Sequence, residues 1–183
     1  MGIYAQVPVT FGPKIGFTTS KLKSDMSGVK DDFKNGFEAG AFVRVKIKKL
    51  YLQPEFYYSI KGGILDSTSF NKKIQLNTLD VPVLLGINVI GKDAFNFRIC
   101  AGPVASFIVN KKIKLNGSKL PDDVVDKSIK DAIWGVQLGA GFDILMFTLD
   151  FRYEIGFNDI SSNDSGIEFK SNTFHVSLGW KIL

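Results

Sequence analysis

A chain of 183 residues, 45% hydrophobic with 18 glycines, suits one domain with a sizeable core and excludes the disordered and collagen-like classes. No apolar run approaches the ~20 residues that a membrane-spanning helix needs. The net charge of +5 raises nucleic acid as a partner, but the lysines fall in polar stretches that also carry Asp (21–34 and 111–131), no Arg-rich patch interleaves with aromatics, and the charge reads as solvated loops with no nucleic acid expected.

From the amino terminus, residues 1–6 resemble the tail of an export signal with cleavage after Ala5. Residues 1–8 are therefore expected to be a signal remnant or N-terminal tail, ahead of a single domain over 9–183. Beyond them the dominant pattern has period two, the signature of strands with one apolar face. Eight strands are expected, at 9–20, 35–48, 50–61, 75–89, 94–109, 131–145, 147–159 and 171–183. The second places Phe37, Ala39, Ala41, Val43, Val45 and Ile47 on one face, with Glu38, Gly40, Arg44 and Lys46 on the other. The seventh alternates Phe147, Leu149, Phe151, Tyr153, Ile155 and Phe157 with Thr148, Asp150, Arg152, Glu154, Gly156 and Asn158. The last alternates Phe174, Val176, Leu178, Trp180 and Ile182 with His175, Ser177, Gly179 and Lys181. Pro13, Pro54, Pro82 and Pro103 fall inside these strands, where each lacks a ladder N–H and should sit at a bulge or strand end.

The connections take turns. Short ones lie around 49, 90–93 and 145–146. Long polar ones lie at 21–34, 62–74, 110–130 and 160–170, with Pro121 suited to open a helical turn in the longest. An up-and-down barrel sends successive connections to opposite ends, so the long loops share one end. The short turns and both termini share the other, as in outer-membrane barrels.

Alternation alone also fits a soluble lipocalin-like carrier of lipid or ligand, with its apolar face inside. Side-chain volume separates the two. The apolar face carries Phe11, Phe17, Phe37, Phe56, Tyr58, Phe95, Phe97, Phe107, Trp134, Phe142, Phe147, Phe151, Tyr153, Phe157, Phe174 and Trp180. An eight-strand lumen is filled by ordinary side chains and cannot hold them. The in-strand glycines, among them Gly12, Gly40, Gly86 and Gly139, fall on the polar face, where space is short. The aromatics, including Phe37, Phe56, Tyr58, Phe97, Trp134, Phe151, Tyr153 and Trp180, are thus expected to face lipid. Trp134, Trp180 and Tyr153 are candidates for interfacial belts. The fold expected is an all-β, eight-stranded antiparallel transmembrane barrel of the OmpA/OmpX-like kind with a side-chain-filled lumen.

Residues 53–62 (QPEFYYSIKG), 79–85 (LDVPVLL), 101–103 (AGP) and 149–156 (LDFRYEIG) occur in an order that resembles the PorT-like outer-membrane β-barrel proteins of Bacteroidetes, over about 11–183. That resemblance implies an eight-stranded barrel in the outer membrane and makes the strand prolines part of a family pattern. It carries no residue assigned to secretion or gliding.

The inward face carries Glu38, Arg44, Lys46, Glu55, Asp80, Arg98, Asp143, Asp150, Arg152, Glu154 and Lys181. Both signs occur in similar numbers, so the set reads as a charge-balanced network that fills the lumen and not as an acid/base pair or ion path. His175 and Ser177 share one face, and outer-membrane lipid A deacylases use a similar H-x-S arrangement with a downstream acid. Here no acid follows, so a lipid-modifying enzyme is the weaker alternative and no catalytic residue is assigned. One cysteine, Cys100, excludes an intramolecular disulfide, and with one histidine it leaves no zinc-site spacing. No metal or cofactor is expected. The partners expected are outer-membrane lipid and a protein met through the long loops, by a monomeric barrel.

Overall fold

The computed structural model describes residues 9–24, 30–67, 70–92, 94–115, 118–119, 132–157 and 169–182. In chain order the strands are β1 (Val9–Ser24), β2 (Lys30–Ile47), β3 (Leu50–Ser67), β4 (Phe70–Lys92), β5 (Phe95–Leu115), β6 (Ser118–Lys119), β7 (Ala132–Ile144), β8 (Phe147–Gly156) and β9 (Phe169–Trp180). Eight of them make a barrel in the order β4-β3-β2-β1-β9-β8-β7-β5, and β4 pairs with β5 to close it. The two-residue β6 only folds back on β5. All pairings are antiparallel, and β1 meets β9 from Lys14↔Gly179 to Ser24↔Phe169. Closure leaves no open edge, which a hydrocarbon surrounding requires. Along β8 burial alternates residue by residue, from exposed Phe147 to buried Gly156, so one period-two sequence supplies both faces of the wall.

Ile47↔Leu50 and Ile144↔Phe147 close two tight turns at one end. Lys48 (φ 59°) and Leu145 (φ 51°) have positive φ at the first central position, the sign pattern of a type II′ hairpin turn.

At the other end the strands outrun their expected limits. β3 and β4 pair as far as Ser67↔Phe70, so the stretch 62–74 is a long hairpin and not a loop. Likewise β1 reaches Ser24, β2 starts at Lys30 and β5 reaches Leu115. A ribbon that projects beyond the core pairs through its backbone and has no face that must alternate, so period two gives no sign of it. The tail 1–8 and the helical turn at Pro121 lie outside the described residues.

The prolines sit at local breaks in the ladders, as expected, but not at register-shifting bulges. Pro13↔Ala41, Pro54↔Val83, Pro82↔Val104 and Pro103↔Val136 are paired on one side, while on the other side Pro13 lies just outside the β1–β9 ladder and Pro54, Pro82 and Pro103 each fall in a two-residue gap of the β2–β3, β3–β4 and β4–β5 ladders. The β3–β4 register is the same at Pro54↔Val83 and Tyr57↔Asp80, and the β4–β5 register at Pro82↔Val104 and Leu85↔Ala101. Bulges lie elsewhere, between Asp32 and Glu38, Asn77 and Thr78, and Asn88 and Ile90. A barrel strand shares its donors between two neighbours, so a missing N–H weakens one ladder locally while the other holds register.

Glycines let the wall close. A Cβ added to Gly12 would fall on the Trp180 carbonyl, which is backbone and cannot move aside. Gly12→Ala is expected to lower unfolding free energy by about 1–3 kcal/mol. At Gly91 the same addition meets first the Asn96 side chain, so Gly91→Ala is expected to stay within about 0.5 kcal/mol of the parent. Urea unfolding of both variants in lipid vesicles checks the contrast.

Not every large apolar side chain points outward. Phe42, Tyr51, Tyr57, Leu76, Leu84, Val104 and Ile133 are buried. Tyr51 stands across from Gly86 and Tyr57 across from Gly40, and each bare glycine leaves room for a ring to lie over it. Cys100 packs with Tyr51 and Leu84.

Candidate functional site

The lumen is lined by polar and charged side chains. Among the described residues it buries five Lys/Arg (Lys14, Arg44, Lys61, Arg98, Arg152), six acids (Glu38, Glu55, Asp80, Asp143, Asp150, Glu154) and His175. Unpaired charges would be expensive there, and the side chains meet in three levels.

Nearest the tight turns, Asp143 lies between two guanidinium groups. Arg44 Nη1 donates to its Oδ2 at 2.8 Å and Arg98 Nε to its Oδ1 at 3.2 Å. Arg98 Nη2 also reaches Asp150 Oδ1 at 2.5 Å, and Arg44 donates to Gln53. The Tyr51 ring is shared by the two arginines, 5.3 Å from Arg44 and 5.7 Å from Arg98, which lets each planar cation stack as well as donate.

At mid-height Glu55 is the hub. It accepts from Lys14 at 3.0 Å, from Gln53 Nε2 at 2.5 Å and from Arg152 Nη1 at 2.5 Å, and also from the Tyr57 hydroxyl. Arg152 donates further to Gln137 (3.2 Å), Tyr57 (2.9 Å) and Ser177 (3.4 Å). Lys14 also pairs with Asp150, tying this level to the one below.

Toward the hairpin end, Lys61 bridges Asp80 at 3.0 Å and Glu154 at 2.7 Å. His175 lies between two carboxylates, with Nδ1 2.8 Å from Glu38 and Nε2 3.3 Å from Glu154. The first contact has hydrogen-bond alignment; the second is an ion-pair distance without it.

Nine of the eleven inward residues named from the sequence meet in these levels; Lys46 and Lys181 are half-buried at the turn end. Reasoning from sequence missed Lys14 and Lys61. Strand parity marks them: Lys14 shares its face with Gly12 and Gly16, and Lys61 with Glu55 and Ser59. Parity likewise marks Phe42 beside Arg44. No acid follows His175 in the chain, but two reach it from other strands, Glu38 from β2 and Glu154 from β8. Ser177 contacts Arg152, and both it and His175 are buried in the lumen away from the lipid-facing wall.

The outer wall is apolar. Phe37, Phe56, Tyr58, Trp134, Phe151, Tyr153 and Trp180 are exposed, and Phe97 is half-buried against Phe142 at 5.1 Å. Trp180 pairs with Phe147 beside a tight turn, whereas Trp134 accepts a backbone bond from Phe157 at the hairpin side. On β8 those levels are ten positions apart, Phe147 to Phe157, which matches the roughly 9–11 residues with which a tilted strand crosses a bilayer. The two tryptophans thus lie ten strand positions apart along the wall, with Tyr153 between them.

The family model described as outer membrane protein beta-barrel domain matches residues 4–162. Among solved structures, Neisserial surface protein A (NspA) is similar with a TM-score of 0.53 at 12% identity, over 94% of this chain and 97% of that one. The outer membrane protein OprG from Pseudomonas aeruginosa is similar with a TM-score of 0.56 at 14% identity, over 96% and 97%. At these identities the likeness is one of fold. Comparison with curated protein sequences gives no significant match.

Proposed function

The chain belongs to the outer membrane protein beta-barrel domain family and lies in a bacterial outer membrane, and from that premise we propose that it is a filled, non-conducting, non-enzymatic scaffold whose hairpin end docks an envelope or extracellular protein. The observation that carries the reading is the lumen, crossed at three levels by ion pairs that also occupy Arg44, Arg98 and Arg152 with aromatic rings. A lumen so filled leaves function to the ends, and binding on rigid scaffolds concentrates in the segments that project from them. A ligand carrier would need an apolar interior, which these charges deny. The stretches at 53–62, 79–85, 101–103 and 149–156 support a PorT-like place within the family, and residues 21–34, 62–74, 110–130 and 160–170 are the surface we assign to the partner.

Photo-crosslinking in intact cells tests the docking role. A crosslinker at Ser128, in the longest of these stretches, is expected to yield a discrete protein adduct, and one at Lys48 in the opposite turn to yield none. Absence of an adduct at Ser128 and throughout 120–130 would overturn the assignment.

A further inference from the structure

We propose that the outer end of β4, β5 and β6 binds the anionic headgroups of the lipid leaflet around it. Residues 70–76 and 110–119 contain six lysines (Lys72, Lys73, Lys111, Lys112, Lys114 and Lys119) and no Asp or Glu. The two stretches are far apart in sequence, and the ladder joins them. Lys73 is the register partner of Lys114, and Lys114 that of Lys119. Three lysines therefore occupy one level of three adjacent strands, spaced by about 4.8 Å per strand.

Register partners share a face of the sheet, and like charges directly opposite one another are destabilising. An anion against that face removes the penalty. Lys112, the partner of Gln75, belongs to the same face and is exposed. The nearest acid in the β3–β4 ladder is Asp66, opposite Asn71. Elsewhere on this rim β2 mixes Lys30 with Asp31 and Asp32, and β1 and β9 bring together one lysine pair, Lys23↔Lys170; the three-strand row is the longest run of paired lysines among the described residues.

Height selects the anion. Exposed Phe107 precedes Lys112 by five positions on β5, and Trp134 is beside it on β7. On a tilted strand those five positions rise by roughly 12 Å, from the apolar band into the headgroup layer. A phosphate-bearing lipid offers its charge at that level, and long lysine stems can cover apolar surface while the ammonium reaches it. This inference rests on the barrel's place in the membrane and is independent of the protein partner proposed above.

Native mass spectrometry of the full chain in neutral detergent, with bisphosphorylated lipid A, phosphatidylcholine or soluble heparin added, tests it. Lipid A adducts are expected on the parent, with affinity reduced about ten-fold or more when Lys73, Lys112, Lys114 and Lys119 are all changed to Gln. Lys48→Gln/Lys49→Gln, at the opposite end, is expected to bind like the parent. Parent-like lipid A binding by the quadruple variant would overturn the proposal. So would heparin binding as tight as lipid A and lost in the same variant, which would assign the surface to a soluble polyanion. Should the quadruple variant not fold, lipid A binding to the parent must still weaken as salt rises; insensitivity to salt would overturn the idea equally.

Discussion

Arg152→Met is expected to remove about 3–5 kcal/mol of unfolding free energy, the largest loss for a single side chain in this barrel. Arg152 donates to Glu55, Gln137, Tyr57 and Ser177 from one planar head. Without it the buried Glu55 keeps only Lys14, Gln53 and Tyr57 as partners. The cost is that of a half-satisfied carboxylate and not of lost volume, since Met nearly fills the space. Arg152→Lys should recover only part of it, because a point charge cannot serve four acceptors arranged around a fork. Arg152→Met combined with Glu55→Gln should be less damaging than the sum of the two, because each change removes the charge the other leaves stranded. Urea unfolding in vesicles, followed by tryptophan fluorescence and by heat-dependent gel mobility, measures all four. Additive losses would mean that the two side chains act independently.

Phe151→Arg is expected to cost about 2–4 kcal/mol in a bilayer, because it sets a charge on the lipid face near the middle of the apolar band. Phe151 is exposed and lies between the Trp180 and Trp134 levels. The same change at Ile182, beyond the end of β9, is expected to cost only about 0–1 kcal/mol, since a charge there reaches the aqueous interface. The difference measures depth, not chemistry, and equal costs would show that the apolar wall does not meet lipid along its height. In this barrel an arginine is therefore destabilising on one face of a strand and needed on the other, at positions one residue apart: Phe151 and Arg152.

That adjacency explains what could be read early. Period two is a property of one strand, set by the pleat, and it survives wherever one face meets lipid and the other a crowded lumen. It assigned Phe147 to Phe157 and Glu38 to Lys46 to their faces without any knowledge of neighbours. The alternation of short and long connections likewise follows from chain order alone. The ribbon ends were not legible for the complementary reason: Lys72–Lys73 and Lys111–Lys114 pair through backbone beyond the core, where no face is forced to be apolar.

The sequence by itself determined an eight-stranded barrel with its aromatics outward and its glycines and charges inward, because each of those features repeats locally. Tertiary structure alone decided which charges meet: Glu38 with His175, Glu55 with Lys14 and Arg152, and Lys61 with both Asp80 and Glu154. It also gathered the lysines of two polar stretches onto one rim and admitted Phe42, Tyr51 and Tyr57 to the lumen. Those outcomes depend on register and on the angle at which strands cross the barrel. Neither quantity is written in the alternation of any one strand.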